Sequence, residues 1–356
     1  MSGGVTILVA KGQQDVMLTD NPQISFFRQN YKRHVNFSQT VLSQVIQGNP
    51  KEAAISTVTF DKKGDLLSYI YITKKIDGIL QPDIIDTDIL KVDLIIGDQV
   101  IDTLTTDQLV AMSCFNSKYP RSTRGTLSGT NPGFVDLYHY PLGFWFCENW
   151  QSALPLVALQ FHDIRIRITW GELASVAGTV YEVWADYIYL DESERKYVVD
   201  KDISDTLIYQ HQSSPASNSL MSVLPFNNPV AFIFSGLSAQ DIMNEAPTAG
   251  TGIINLQLNG VDITDKRELY PHYNIIPLSF HTTYGKYNTA AITDTPSFIY
   301  PFSLNCSQLQ PSGSCNFSRI DSAYLASTKE VVKPIYCRSY NILRISDGMG
   351  GLLFSS

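Results

Sequence analysis

The chain is poor in charge, in helical patterning and in the short motifs that announce chemistry. Asp, Glu, Lys and Arg make up 17% of its 356 residues, against about a quarter in an average soluble protein. Its 26 cations are outnumbered by 34 anions, for a formal net charge of −8. Binding nucleic acid as a main task needs dense cationic surface to displace counterions, and this balance argues against it. No apolar run approaches the roughly 18 residues that a bilayer-crossing helix needs. The opening MSGGVTILVAKGQQD has no basic n-region and too short an apolar stretch for a secretion signal. Five cysteines (Cys114, Cys147, Cys306, Cys315, Cys337) form no C-x-x-C pair and are odd in number. They read as buried thiols in a reducing compartment, with a Cys306–Cys315 bridge left open. Sequons beginning at Asn36, Asn305 and Asn316 are then expected to be chance matches.

Catalytic signatures are missing too. There is no phosphate-binding G-x-x-x-x-G-K-[ST], no G-x-S-x-G elbow and no H-E-x-x-H zinc helix. The six histidines are scattered without an H-x-H pair, and His162 reads as a satisfied core or interface residue. Asp83 and Asp86 sit in a polar stretch and read as solvated turn residues, not an acid/base pair. GMGG near Gly350 lacks strand-then-helix context and suits a tight turn with close backbone approach. No cofactor and no metal are expected.

What the chain does contain is a repeat. VDLIIGDQVID (Val92 to Asp102) and INLQLNGVDIT (Ile254 to Thr264) share one grammar, with Gly260 lying 163 positions after Gly97. PLGFWFCENWQSALP from Pro141 is echoed by PFSLNCSQLQP from Pro301, and FHDIRIRI by FSRIDSAYL. The offsets stay between 156 and 163 residues, the size of a whole domain and not of a solenoid unit. Two similar domains in tandem point to a building block before a catalyst.

Local patterns are those of strands. In DIRIRITW, Ile164, Ile166, Ile168 and Trp170 share one face, opposite Arg165 and Arg167, as in a half-buried strand. STVTF–DKKGD–LLSYIYIT (Ser56 to Thr73) has the form of a hairpin turning at Gly64. YEVWADYIYL (Tyr181 to Leu190) is apolar on both faces and suits a deeper strand. Short helices are expected from Thr105 and over Asp191 to Lys201, and long loops over 118–133, 213–219 and 245–252. The fold class is all-β: a sandwich or barrel in each half, with short helices in loops.

The cluster Arg28, Lys32, Arg33 and His34 is interleaved with aromatics. Such a segment suits an anionic surface, or an arm that packs its aromatics and pairs its cations with acidic neighbours.

The run LVAKGQQDVMLTDNPQISFFRQNYKRHVNFS (Leu8 to Ser38) resembles the opening of the major capsid proteins of nucleocytoplasmic large DNA viruses. ENWQSALPLVALQFHDIRIRI (Glu148 to Ile168), QPSGSCNFSRID (Gln310 to Asp321) and YNILRISDGMGGLLFSS (Tyr340 to Ser356) are similar to further segments of that family. The resemblance implies two tandem eight-stranded jelly rolls (a double jelly roll), divided as an arm over 1–30, a first jelly roll over 31–197 and a second over 198–356. It implies a homotrimeric capsomer of pseudo-hexagonal outline in an icosahedral virion shell, assembled in the host cytoplasm. Minor capsid proteins and an internal membrane would lie near the basic arm, with no specific nucleic acid bound. Tyr138, His139, Tyr140, Phe144, Trp145 and Trp150 are candidates for subunit or domain contacts, with plain filling of the first core as the competing reading. A jelly-roll carbohydrate-binding attachment protein and a double-sandwich hydrolase are the alternative functions.

Overall fold

The computed structural model describes residues 3–26, 29, 31–81, 88–113, 139–200, 203–237, 253–263, 267–268, 271–272, 276, 298–306, 308 and 310–354. Arg28, Tyr138, Cys114, Asp83, Asp86 and the stretches 118–133 and 245–252 fall outside them. The chain divides into two compact units, Met1–Asn36 and Phe37–Ser356.

The first unit carries two short helices, α1 (Gly3–Val9) and α2 (Gln13–Thr19). At the start of α2 the Gly12 N–H donates to Asp15 Oδ2 at 2.7 Å. Ile7, Leu8, Met17 and Leu18 are all exposed.

The second unit is built of antiparallel sheets. Up to Leu190 the strands are β1 (Phe37–Gln44), β2 (Ile46–Gln47), β3 (Ile55–Phe60), β4 (Leu66–Ile76), β5 (Ile79–Leu80), β6 (Ile89–Ile96), β7 (Gln99–Thr105), β8 (Tyr140–Pro141), β9 (Leu154–Pro155), β10 (Ile164–Trp170) and β11 (Thr179–Leu190). One sheet runs β1-β11-β4-β5 with β8 and β9 also on β4, and the facing sheet runs β2-β3-β10-β6-β7. Helix α3 (Thr106–Ser113) follows β7, α4 (Trp145–Glu148) follows β8, and α5 (Glu192–Val199), capped by Asp191, leaves the sandwich.

From Ile203 the pattern repeats. The strands are β12 (Ile203–Ser214), β13 (Met221–Val223), β14 (Pro229–Ser235), β15 (Ile253–Leu258), β16 (Val261–Asp262), β17 (Arg267–Glu268), β18 (Phe298–Pro301), β19 (Cys315–Asn316), β20 (Ala323–Ser327), β21 (Ile335–Ser346) and β22 (Met349–Leu352). Their sheets run β12-β21-β14-β18, with β19 on β14 and β22 on β21, and β13-β20-β15-β16, with β17 on β15. Strand for strand, β1-β11-β4 corresponds to β12-β21-β14, and β10-β6-β7 to β20-β15-β16. The two glycine turns of the sequence repeat join β6 to β7 and β15 to β16, with Gly97 and Gly260 at φ 62° and 76°, a region in which side chains carrying a Cβ are strained.

Alternation places the cores. On β10 the isoleucines and Trp170 are at most 1% exposed, while Arg165 and Arg167 face outward. Trp170 lies 4.5 Å from the Tyr181 ring, and its Nε1 donates to Ser56 Oγ at 2.8 Å. Asp93 lies on the outward face, almost wholly buried beneath Arg167 (Nη2, 2.7 Å), Lys91 (3.0 Å) and the Thr103 hydroxyl (2.9 Å). Burial alone would raise this carboxyl, but those hydrogen bonds outweigh it and hold the group below the usual carboxylate range. A folded pKa below the unfolded value of about 3.9 gives stability that is present above that value and lost as pH falls through the folded one. Asp93→Asn should therefore melt lower at pH 7 and lose less of its melting temperature than the wild type between about pH 4 and pH 2. Parallel acid limbs in thermal melts would show that Asp93 does not carry this dependence.

Two strand expectations fail in instructive ways. The segment Ser56 to Thr73 is not a hairpin, because β3 and β4 belong to opposite sheets. Asp65 explains the crossing: its carboxylate accepts from Leu190 N–H at 2.8 Å and pairs with Arg195 at 2.8 Å, tying the DKKGD stretch to the far sheet. Strand β11 is buried on one face only; Trp184 and Asp186 on the other are half-exposed. The closing GMGG does form a tight turn, with Asp347 and Gly348 at φ 49° and 74°. A Cβ on Gly350 would sit 2.5 Å from Leu159 Cδ2, so the close backbone approach there is real.

Candidate functional site

The two sandwiches meet along a seam that is polar at its centre and apolar on its flank. The outward face of sheet β12-β21-β14 lies against β7, α3 and α4 of the first sandwich. On β7, Asp102 accepts from the His211 backbone N–H through Oδ1 and faces His211 Nδ1 through Oδ2, each at 2.9 Å, with both side chains fully buried. Glu148, the last residue of α4, pairs with Arg338 on β21, both less than a tenth exposed. The Arg338 guanidinium also stands 4.0 Å over the Tyr209 ring. Burial would lower the Arg338 pKa, but the facing Glu148 carboxylate and the Tyr209 ring raise it on balance, so the charge is kept. Gln210 Nε2 donates to the Ile101 carbonyl at 2.7 Å, and Thr105 Oγ1 to the Tyr336 hydroxyl at 3.3 Å. Beside this polar centre, Ala111 and Met112 at the end of α3 pack with Phe232, Phe234, Ile299 and Tyr336.

The lower end of the seam is made by the last hairpin. The Phe161 N–H donates to the Gly348 carbonyl at 2.9 Å, and Leu352 N–H to Gln99 Oε1 at 3.0 Å. His162 Nδ1 lies 2.9 Å from the Gly350 carbonyl. His162 thus sits at an internal interface, as its sequence context suggested. Buried ion pairs of this kind strongly penalise loss of one partner, so the seam fixes the orientation of the two sandwiches.

The aromatic candidates divide. Tyr140, Phe144 and Trp145 are at most 2% exposed and belong to a core cluster that fills the first sandwich and takes in Ile208, Tyr209, Leu343 and Ile345 of the second. They are buried within the chain and present no surface to another subunit, while the cluster they share with residues of both sandwiches is compatible with a domain contact. Helix α4, which begins at Trp145, sets Glu148 against the second sandwich, so the segment serves the domain contact through the last residue of that helix. His139 is half-buried beside Tyr71 at 5.7 Å, and Trp150 is 74% exposed. In the unit Met1–Asn36, Lys32, Arg33 and His34 are exposed, as are Phe26 and Tyr31. Cys147, Cys306 and Cys337 are buried free thiols, and Cys315 is free and half-buried. The open Cys306–Cys315 bridge is therefore not formed, and burial pushes the Cys306 thiol up to about 11. No group of three or more metal-ligating side chains occurs among the described residues.

Sequence reasoning did not single out Asp102, Glu148, His211 or Arg338. A signal existed: Arg338 stands inside the apolar run IYCRSYNIL, and Glu148 between two tryptophans. Charges so placed are seldom buried unless paired.

Two sandwiches of one topology fused edge to face define a double jelly roll of the kind used in viral shells. A family model described as the major capsid protein N-terminus matches residues 25–191. The major capsid protein of Pyramimonas orientalis virus is 33% identical over 399 aligned positions, covering all of both chains. That of Paramecium bursaria Chlorella virus 1 is 29% identical, again over 100% of each. Among solved structures, the PBCV-1 virus capsid superposes with a TM-score of 0.71 at 24% identity, over 93% of this chain and 100% of that one. The Faustovirus major capsid protein gives 0.63 at 10% identity, over 94% of each. The chain belongs to the major capsid protein family of nucleocytoplasmic large DNA viruses.

Proposed function

We propose that three copies of this chain form a homotrimeric capsomer of pseudo-hexagonal outline, which tiles the facets of an icosahedral virion shell. The observation that carries this reading is the duplication itself: two sandwiches of matching topology are held in one orientation by a buried, charged seam. Three such chains supply six similar sandwiches in a closed ring, and closed rings are the usual outcome of head-to-tail contacts whose rotation closes. The arm over 1–30 precedes jelly rolls over 31–197 and 198–356, and the junction of arm and first jelly roll turns Arg28, Lys32, Arg33 and His34 to the shell's inner face. There they meet minor capsid proteins and an anionic internal membrane. Trp150 and His139 serve contacts between subunits. Shells assemble in the host cytoplasm, and the protein works by assembly and not by catalysis.

Native mass measured across a dilution series tests this directly. A species of about 119 kDa (3 × 39.7 kDa) that resists dilution is expected. Obligate interfaces bury on the order of 2,000–5,000 Å², so the trimer should persist to low concentration. A 39.7 kDa monomer at every concentration would overturn the proposal.

A further inference from the structure

Duplication supplies an internal control on every buried polar group, because what the fold itself needs should recur in both sandwiches. Trp184 pairs with Tyr71 as Arg338 pairs with Phe232. Counting along the same strands, Lys74 and its cross-strand neighbour Tyr181 then correspond to Ser235 and Ile335. The second sandwich closes over that serine and isoleucine, both fully buried. The first has a buried amine and a buried phenol in their place, and both touch one carboxylate.

Lys74, on β4, is 8% exposed, and Asp88, which leads into β6 of the facing sheet, is 0% exposed. Lys74 Nζ lies 2.5 Å from Asp88 Oδ1. The Tyr181 hydroxyl donates to the same oxygen at 2.7 Å. The Gly171 N–H donates to the Asp88 carbonyl at 2.9 Å, which holds the backbone that carries the carboxylate. Trp170, wholly buried, closes the site 4.5 Å from the Tyr181 ring. Lysine is almost never buried so deeply unless paired, and a buried ion pair is commonly no more stabilising than apolar residues of the same volume. The second sandwich shows that this fold forms without one at these rungs.

The geometry points to a covalent product: Lys74 and Asp88 join in an amide that staples the two sheets of the first sandwich. Burial disfavours the charged pair and favours neutral amine and neutral acid, reached by moving one proton from Nζ to the carboxylate across their hydrogen bond. The Nζ lone pair then attacks Asp88 Cγ. The Nζ–Cγ bond forms, one Cγ–O bond breaks, and that oxygen leaves as water with two protons shed by the amine. Ammonium and carboxylate become amide and water, with no oxidant, reductant or cofactor. Burial and the neighbouring Asp88 push the Tyr181 hydroxyl up, so it stays a donor at neutral pH. A donor held on the oxygen where charge develops stabilises the tetrahedral intermediate. Amine and acid held in contact also react at a high effective concentration. The bond lies within one chain and does not rest on the trimer reading.

Mass under denaturing conditions, where an ion pair leaves no trace, reads the bond directly. The purified wild-type chain should weigh one water, about 18 Da, less than its sequence. In a tryptic digest, Lys74 should resist cleavage and the peptide ending at Lys75 should stay joined to the one that carries Asp88. Lys74→Met should match its own sequence mass and give no joined pair. Tyr181→Phe, which keeps the ring and loses the hydroxyl, should lower the joined fraction at least about tenfold in protein of the same age. A wild type at full sequence mass, cut after Lys74 and with its peptides separate, would overturn the proposal. A Tyr181→Phe chain joined as fully as the wild type would overturn the part given to the hydroxyl and leave the bond standing.

Discussion

Replacing Arg338 by methionine should destabilise the protein by about 3–5 kcal/mol, because it breaks the buried ion pair that the guanidinium makes with the Glu148 carboxylate across the seam. Glu148 is 6% exposed and Arg338 4%, so water cannot substitute for either partner. The loss should appear in urea denaturation as a large fall in the midpoint. The double variant Arg338→Met, Glu148→Leu should recover most of that stability, since removing both charges also removes their desolvation cost. A double variant as unstable as the single one would show that the guanidinium matters through its contact with Tyr209 and not through the ion pair.

The tryptophans around Glu148 should respond in opposite ways. Trp145→Ala empties a site that is 1% exposed and edge-on to Phe146 at 5.1 Å, and should cost about 3–5 kcal/mol as core truncations of this size do. Trp150→Ala, at a position 74% exposed, should leave monomer stability within about 0.5 kcal/mol. As a candidate subunit contact, Trp150→Ala should instead shift the concentration at which trimers dissociate. An unchanged dissociation midpoint would remove Trp150 from the interface, and an unchanged melting temperature for Trp145→Ala would contradict its place in the core.

The sequence was most legible where a single physical rule acted alone. Strict alternation in DIRIRITW gave both the strand and its buried face, and the positive-φ glycines of the two matching turns gave the duplication. It misled where a distant partner decided the outcome. DKKGD has the composition of a hairpin turn, yet Asp65 is bound by Leu190 and Arg195, far along the chain, and the strands on either side part company. The aromatic stretch around Trp145 illustrates the same limit. Large apolar side chains suit a core and an interface equally, and only the packing shows that Trp145 is inside and Trp150 outside. The seam was least legible, since nothing near His211 or Arg338 announces an Asp102 or a Glu148 more than a hundred positions earlier.

The pairing of β1 with β11 bears on how the protein is made. Phe37 finds its partner only at Leu190, and Ile203 only at Ser346. At roughly 5–20 residues per second on the ribosome, the first strand of each sandwich waits about 8–30 s before the residues that complete its sheet are even synthesised. Until β11 is made, neither β1 nor β4 has the strand that lies between them in the finished sheet, and exposed apolar surface in such unfinished chains favours aggregation. Slower initiation on each message, which spaces unfinished chains apart, should therefore raise the fraction that reaches the native form, read as soluble protein per chain made.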